Sequence, residues 1–313
     1  MTIHDKRFFA LFVVLISSAI SDGFSQSGPS LDVSITATYT LPQSYRPDGA
    51  IRYGDSVLAW STETPFLLLL RRDSVRTLRL PTVNAPVGVS VAHDTLVVFD
   101  RDPARLLRFV GTRLISIKSL RIQNVVERAI PALGGWVISS RDSLGRTAIH
   151  LWKQTDELEV LSERFVPRSG AEIVLQPVLG GGFLSYLRGY PFEVYGRTGT
   201  SRDVWFVPDI EAELTSKMYI GQATSLRATG LVPIDTVLVH SLFDAENVVS
   251  HLRVYSSRGK LMRSRLLPGD LAFLSVIDGG KTIVGTRQLE KRELVLFQWR
   301  WGRVASARKG RIQ

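Results

Sequence analysis

The sequence contains no cysteine in its 313 residues. That excludes disulfides, thiolate nucleophiles, iron–sulfur clusters and cysteine-held zinc. Stability must come from a core and its closure rather than from covalent staples. Histidine is scarce: beyond residue 25 there are only His93, His150, His240 and His251, and no two stand at helix or strand ligand spacing. Asparagine occurs only at Asn84, Asn124 and Asn247. His-Glu-x-x-His, EF-hand and Gly-x-Ser-x-Gly motifs are all missing. Gly180-Gly181-Gly182 runs into a strand pattern (Phe183-Leu184-Ser185-Tyr186) and not into the helix a phosphate cradle needs. No metal site and no cofactor is therefore expected.

Lysine is thin as well. Of 39 basic residues only 8 are Lys, against 29 acids, for a net charge of +10. The arginines are spread singly through the chain, with no run of five or more basic residues, so there is no basic tail. The excess still favours an anionic ligand or partner.

The one long apolar run lies at the start. Lys6 and Arg7 precede Phe8–Ile16, then Ser17, Ser18, Ala19 and Ile20. A charged segment followed by about 13 apolar residues has the length of a secretory signal and is short for a membrane span. Cleavage is expected after Ser25, with Ser21 as the alternative. Residues 1–25 carry two bases and two acids, so their removal leaves +10. The mature chain is expected to be exported, periplasmic or extracellular, without a membrane span, and monomeric. Export argues against nucleic acid as a partner.

The remainder is a succession of apolar runs of four to eight residues, broken by Gly, Asp, Pro and Ser, which is strand punctuation. The best helix candidate is 209–218, with acids at its start. One unit repeats: an apolar strand, a tight turn at Gly, Asp or His-Asp, and a second apolar strand. The turns fall at 54, 93, 134, 181, 234 and 279, spaced by 39, 41, 47, 53 and 45 residues. Glycine and aspartate suit them because hairpin turns need positive φ or a side chain that caps the backbone. A second hairpin follows each first one.

Six four-strand meanders of about 40–50 residues predict an all-β fold, a six-bladed β-propeller of four-stranded antiparallel blades, in a single domain over 26–313. The blades are placed at 46–81, 85–120, 127–166, 172–208, 224–267 and 271–309, closed by strand 31–41. The pattern leaves open whether 31–41 or 303–307 is the last blade's outermost strand. With this repeat and the signal segment, residues 31–307 resemble bacterial six-bladed propellers of the NHL/TolB-like class. No Tyr-Trp-Thr-Asp, Trp-Asp or Ser-x-Asp-x-Gly-x-Thr-Trp signature accompanies them. The resemblance implies a fold and a binding role, not a chemistry.

In such a propeller, the loops between blades and between each blade's second and third strands share one face. The binding residues expected there are Arg46, Asp48, Asp100, Arg101, Arg141, Arg188, Tyr190 and Asn247. Arginine's planar fork suits carboxylate and phosphate. The reading is a non-catalytic binding or interaction module with an unknown protein or anionic ligand as partner. The alternative is a metal-dependent lactonase-type hydrolase with its site at the central channel, for which Asp48, Asn84, Glu127 and Glu172 are the only plausible set.

Overall fold

A computed structural model describes residues 31–72, 74–153, 155, 157–165, 173–177, 182–187, 192–195, 202–205, 226–234, 237–256 and 260–301. The signal segment, the helix candidate at 209–218 and the strand candidate at 303–307 lie outside them. Contacts divide the chain into Ser34–Gln298 and a second unit of Met1–Val33 with Trp299–Gln313. Of the second unit, only residues 31–33 and 299–301 are described, as strand ends.

The regular secondary structure of the described residues is almost wholly strand. First comes β1 (Leu31–Thr40). One sheet follows from β2 (Gly49–Tyr53), β3 (Ser56–Trp60), β4 (Phe66–Arg71) and β5 (Ser74–Arg79). A second has β6 (Pro86–Ala92), β7 (Thr95–Asp100), β8 (Arg105–Val110) and β9 (Arg113–Ser119). A third has β10 (Val125–Ala132), β11 (Gly135–Arg141), β12 (Arg146–Trp152) and β13 (Leu158–Phe165). A fourth has β14 (Ile173–Pro177), β15 (Phe183–Leu187), β16 (Phe192–Tyr195) and β17 (Arg202–Trp205). A fifth has β18 (Leu226–Ile234), β19 (Val237–Asp244), β20 (Val249–Ser256) and β21 (Leu261–Pro268). The last has β22 (Asp270–Ile277), β23 (Thr282–Gln288) and β24 (Arg292–Trp301), with β1 outside β24. This is an all-β propeller of four-stranded antiparallel blades. Among the described residues, the last sheet takes its fourth strand from residues 31–40.

The burial of each strand explains its composition. Second strands are packed on both faces, so they read as continuous apolar runs: every residue of β3 and of β19 is buried. Fourth strands face solvent and carry Arg, Ser and Lys, as in Arg-Leu-Ile-Ser-Ile-Lys-Ser of β9, which also guards an open edge against pairing. Among the described residues, turns fall at Gly54, His93, Gly134 and Gly279, where the glycines and polar pairs predicted them. Gly134 sits between β10 and β11 at φ +74°, a conformation an L side chain rarely adopts.

The first strands of the sheets meet in a closed order: β2 with β6, β6 with β10, β10 with β14, β14 with β18, β18 with β22, and β22 with β2. Four of them share a device the sequence did not advertise. Pairing registers shift at Pro86/Gly88, Val126/Arg128, Ala228/Gly230 and Phe273/Ser275. A bulge there bends the strand and increases its twist. Gly230 marks one of the close approaches that result: a Cβ on it would stand 2.6 Å from the amide nitrogen of Phe273 on the neighbouring sheet.

Buried side chains fill the spaces between sheets. One cluster joins Leu58 and Leu67 to Leu96, Val98 and Phe109, across the first and second sheets. Another joins Phe99 and Leu106 to Ile138 and Trp152, across the second and third. A third closes the seam, where Ile277, Val284, Leu294 and Leu296 of the last sheet meet Ala50, Val57, Leu68 and Leu70 of the first. Tyr39 of β1, with Leu41 and Tyr45 from the segment between β1 and β2, fills that seam. Tyr45 is 1% exposed; its hydroxyl donates to Ala59 O at 2.9 Å and its ring stacks on Phe66.

Candidate functional site

The first strands surround a central channel with a cavity of about 240 Å³. Its walls are mainly apolar, including Ile51, Val89, Ile130, Val174, Leu274 and Val276. Three polar side chains in its walls are turned onto backbone carbonyls. Gln176 donates to Leu274 O at 2.8 Å, Ser275 to Ala50 O at 2.5 Å, and Thr229 to Leu271 O at 2.5 Å. Each of these bonds ties one sheet to another, so polar groups otherwise costly to bury are satisfied by holding the ring together.

An ion pair stands where the first strands begin. Arg128 of β10 reaches past the second sheet to Asp48, just before β2. Its Nη1 donates to Asp48 O at 2.6 Å and its Nη2 to Asp48 Oδ1 at 3.1 Å. Asp48 Oδ2 accepts from Thr62 N at 2.7 Å and Thr62 Oγ1 at 2.9 Å. Both side chains are largely covered, at 18% and 23% exposure, so the pair is screened far less than a surface pair.

Beside the channel, at the same end, lies a second hollow of about 250 Å³. Its walls are Arg46, Pro47, Asp270, Ala272, Thr286, Arg287, Gln288 and Arg292. Three arginines therefore line one small space. Arg287 is committed: its Nε and Nη2 donate to Glu293 Oε2 at 3.0 and 2.7 Å. Among the described residues Arg292 meets only neutral acceptors, Gln288 Oε1 at 3.2 Å and Tyr45 O at 3.5 Å. Arg46 is exposed and makes no ion pair among the described residues.

Of the binding residues expected from sequence, Arg46 lines the rim hollow and Asp48 the channel mouth. Asp100, Arg101, Arg141 and Asn247 line neither. Asp100 is fully buried and shapes a loop: Oδ1 accepts from Ala85 N at 2.7 Å and Asn84 N at 3.2 Å, while Oδ2 pairs with Arg105 at 3.0 Å. Arg101 donates its amide to Ala85 O. Arg141 pairs with Glu127 at 2.7 Å. Asn247 donates to Asp244 Oδ2 at 2.7 Å, and this bond, with the loop amides of residues 246 and 247, holds the Asp244 carboxyl below the usual range. Arg188 and Tyr190 lie outside the described residues. Sequence reasoning missed Arg128 and Arg287, both on strands; only the bulge in β10 and the end of β23 turn them to the mouth.

The described members of the lactonase-type set each have other partners. Asp48 is held by Arg128 and Thr62, Glu127 by Arg141, and Asn84 donates to Asp102 O. Glu172 lies outside the described residues. Among the described residues no group of three or more His, Cys, Asp or Glu could hold a metal ion, and no helix is long and apolar enough to cross a membrane.

Fold and mouth together define a β-propeller, and comparison with solved structures agrees. A Bacteroides fragilis protein assigned as exported superposes with a TM-score of 0.54 at 10% identity, covering 87% of this chain and 96% of that one. The β-propeller domain of Cps50 (Swd1) from Myceliophteria thermophila gives 0.53 at 10% identity, covering 85% and 99%. The PQQ-bound aldose sugar dehydrogenase of Streptomyces coelicolor gives 0.54 at 10% identity, covering 87% and 100%. At such identities the likeness is one of fold. No family model and no curated protein matches the sequence, so the NHL/TolB-like resemblance rests on the repeat and the signal segment.

Proposed function

We propose that this chain is an exported, six-bladed β-propeller that acts as a non-catalytic binding module, taking an anionic ligand at one mouth of its central channel. The closed order of the six first strands supports six blades, with β1 sealing the ring against β24. The basic and apolar pattern of residues 1–25 supports export.

One observation carries the ligand reading: Arg46 and Arg292 share a concave space, and neither has an acidic partner among the described residues. A low-dielectric cleft focuses such charge and raises the local concentration of anions. Guanidinium forks then grip a carboxylate or phosphate through paired hydrogen bonds.

A thermal-shift screen of the purified chain against acetate, inorganic phosphate, an anionic glycan, Ca²⁺ and a lactone tests this. At least one anion should raise the melting temperature, and Arg46→Gln should remove the rise. Ca²⁺-dependent lactone turnover, or indifference to every anion, would overturn the reading.

A further inference from the structure

The rim hollow and the channel adjoin, sharing Pro47, Ala272 and Thr286 in their walls. We infer that the ligand is a singly charged organic anion with an apolar body: a medium-chain monocarboxylate. Its carboxylate sits at Arg46 and Arg292, and its chain enters the channel. The inference rests on the anion-binding reading above and gives that site a ligand class.

The polar end selects one charge. Arg46, Arg287 and Arg292 stand against Asp270 and the Glu293 that holds Arg287, three positive groups to two negative. A monoanion balances that excess. Phosphate or a polyanion would bring further charge toward Asp270 and Glu293, and like charge at close range is repulsive.

The inner end selects an apolar body. Gln176, Ser275 and Thr229 already donate to carbonyls of the ring, so their side chains offer the ligand few donors. Asp48 and Arg128 satisfy each other at the mouth. Most of the other side chains facing the cavity are aliphatic, among them Ile51, Val89, Ile130, Val174, Leu274 and Val276, with the Thr286 hydroxyl polar at the junction with the hollow. The two spaces, about 240 and 250 Å³, together reach the lower part of the range small-molecule sites occupy, roughly 300–1,000 Å³. An apolar wall with a few convergent polar groups at one end is the usual form of such a site.

Isothermal titration of the full chain with octanoate tests the inference. Affinity should fall about fourfold for each methylene removed, through hexanoate to butanoate, which is the transfer free energy of a buried CH₂. Removing the charge, with 1-octanol as probe, should cost about tenfold or more, as should Arg46→Gln, because a hydrogen bond to a charged group is lost. Arg46 is exposed, so that variant should melt as the parent does without ligand. Equal affinity for butanoate and octanoate would show that the chain does not enter the channel and would overturn the inference. So would octanoate binding unchanged in both Arg46→Gln and Arg292→Gln. Phosphate binding that octanoate does not displace would overturn it while sparing the anion-binding reading. Failure of every anion to bind would end both.

Discussion

Tyr45 offers the most direct test of how the ring is closed. It follows β1, lies in the cluster joining the last sheet to the first, and is 1% exposed. Its hydroxyl reaches Ala59 O at 2.9 Å and its ring centroid lies 5.7 Å from that of Phe66. Burial, with Asp48 nearby, raises its pKa well above the ordinary tyrosine value, so it stays a neutral donor. Tyr45→Phe removes only the hydrogen bond and should cost about 1 kcal/mol. Tyr45→Ala also removes the ring and leaves a cavity, for about 3–5 kcal/mol.

Urea denaturation separates the two. With an m-value of about 3 kcal/mol/M, loss of about 4 kcal/mol lowers the midpoint by about 1.3 M, and loss of the hydroxyl alone by about 0.3 M. Val110→Ala, at a side chain 48% exposed on β8, is the control and should move the midpoint by under about 0.2 M, given that surface changes stay within about 0.5 kcal/mol. If Tyr45→Ala behaves like that control, the segment between β1 and β2 is not a structural seam, and the account of ring closure fails.

Other residues make separate predictions. Asp100→Ala strips two loop amides of their acceptor and leaves Arg105, 16% exposed, without its carboxylate; about 3–5 kcal/mol should be lost in the same urea assay. Arg52 donates to both oxygens of Asp278 at 2.7 and 2.5 Å, joining the first sheet to the last at the channel's other end, and holds that carboxyl below its ordinary pKa. A depressed carboxylate stabilises fully above its unfolded pKa, about 3.9, and the contribution is lost as pH falls through the folded value; Arg52→Ala should flatten stability profiles below pH 4. His150 is buried, with Nε2 2.8 Å from Ser140 Oγ, and desolvation lowers its pKa. It folds neutral, so stability should decline as pH falls from about 6.5 toward the folded pKa, and His150→Gln should lessen that decline in melting curves.

The sequence shows most where the backbone needs a particular residue. Gly134, Gly54 and the His93–Asp94 pair mark hairpin turns because Gly134, Gly54 and His93 take positive φ. The apolar second strands stand out because both their faces are buried. The bulges leave a weaker trace: those in β6 and β18 carry Gly88 and Gly230 at close approaches to the next sheet, whereas those in β10 and β22 carry no glycine, since a bulge adds one residue without itself demanding a particular side chain. Arg128 was invisible for that reason. The choice between 31–41 and 303–307 was open because both read as strands, and pairing with β24 is a long-range event that local pattern does not encode. At the site, Arg46 was legible as a loop arginine. Asp100 and Arg141 looked alike from sequence, and only burial and partners separate loop-shaping groups from exposed ones.

The candidate site and the seam are built from the same residues, and this has a measurable consequence. Tyr45 precedes Arg46, and the Tyr45 carbonyl accepts from Arg292 Nη1. Loosening Tyr45 therefore shifts both arginines that lack acidic partners among the described residues. A ligand that binds only the folded state adds about 2.7 kcal/mol of stability at one hundred times its Kd. At that same fixed octanoate concentration, the increment should persist in Asp100→Ala, whose damage lies outside both cavities, even though its starting stability is low. It should shrink in Tyr45→Ala, because weakened affinity enters the same logarithm: a tenfold rise in Kd removes about 1.4 kcal/mol of the increment. Melting curves of both variants with and without octanoate make the comparison. Equal increments in the two variants would separate ring closure from binding and place the ligand elsewhere on the propeller.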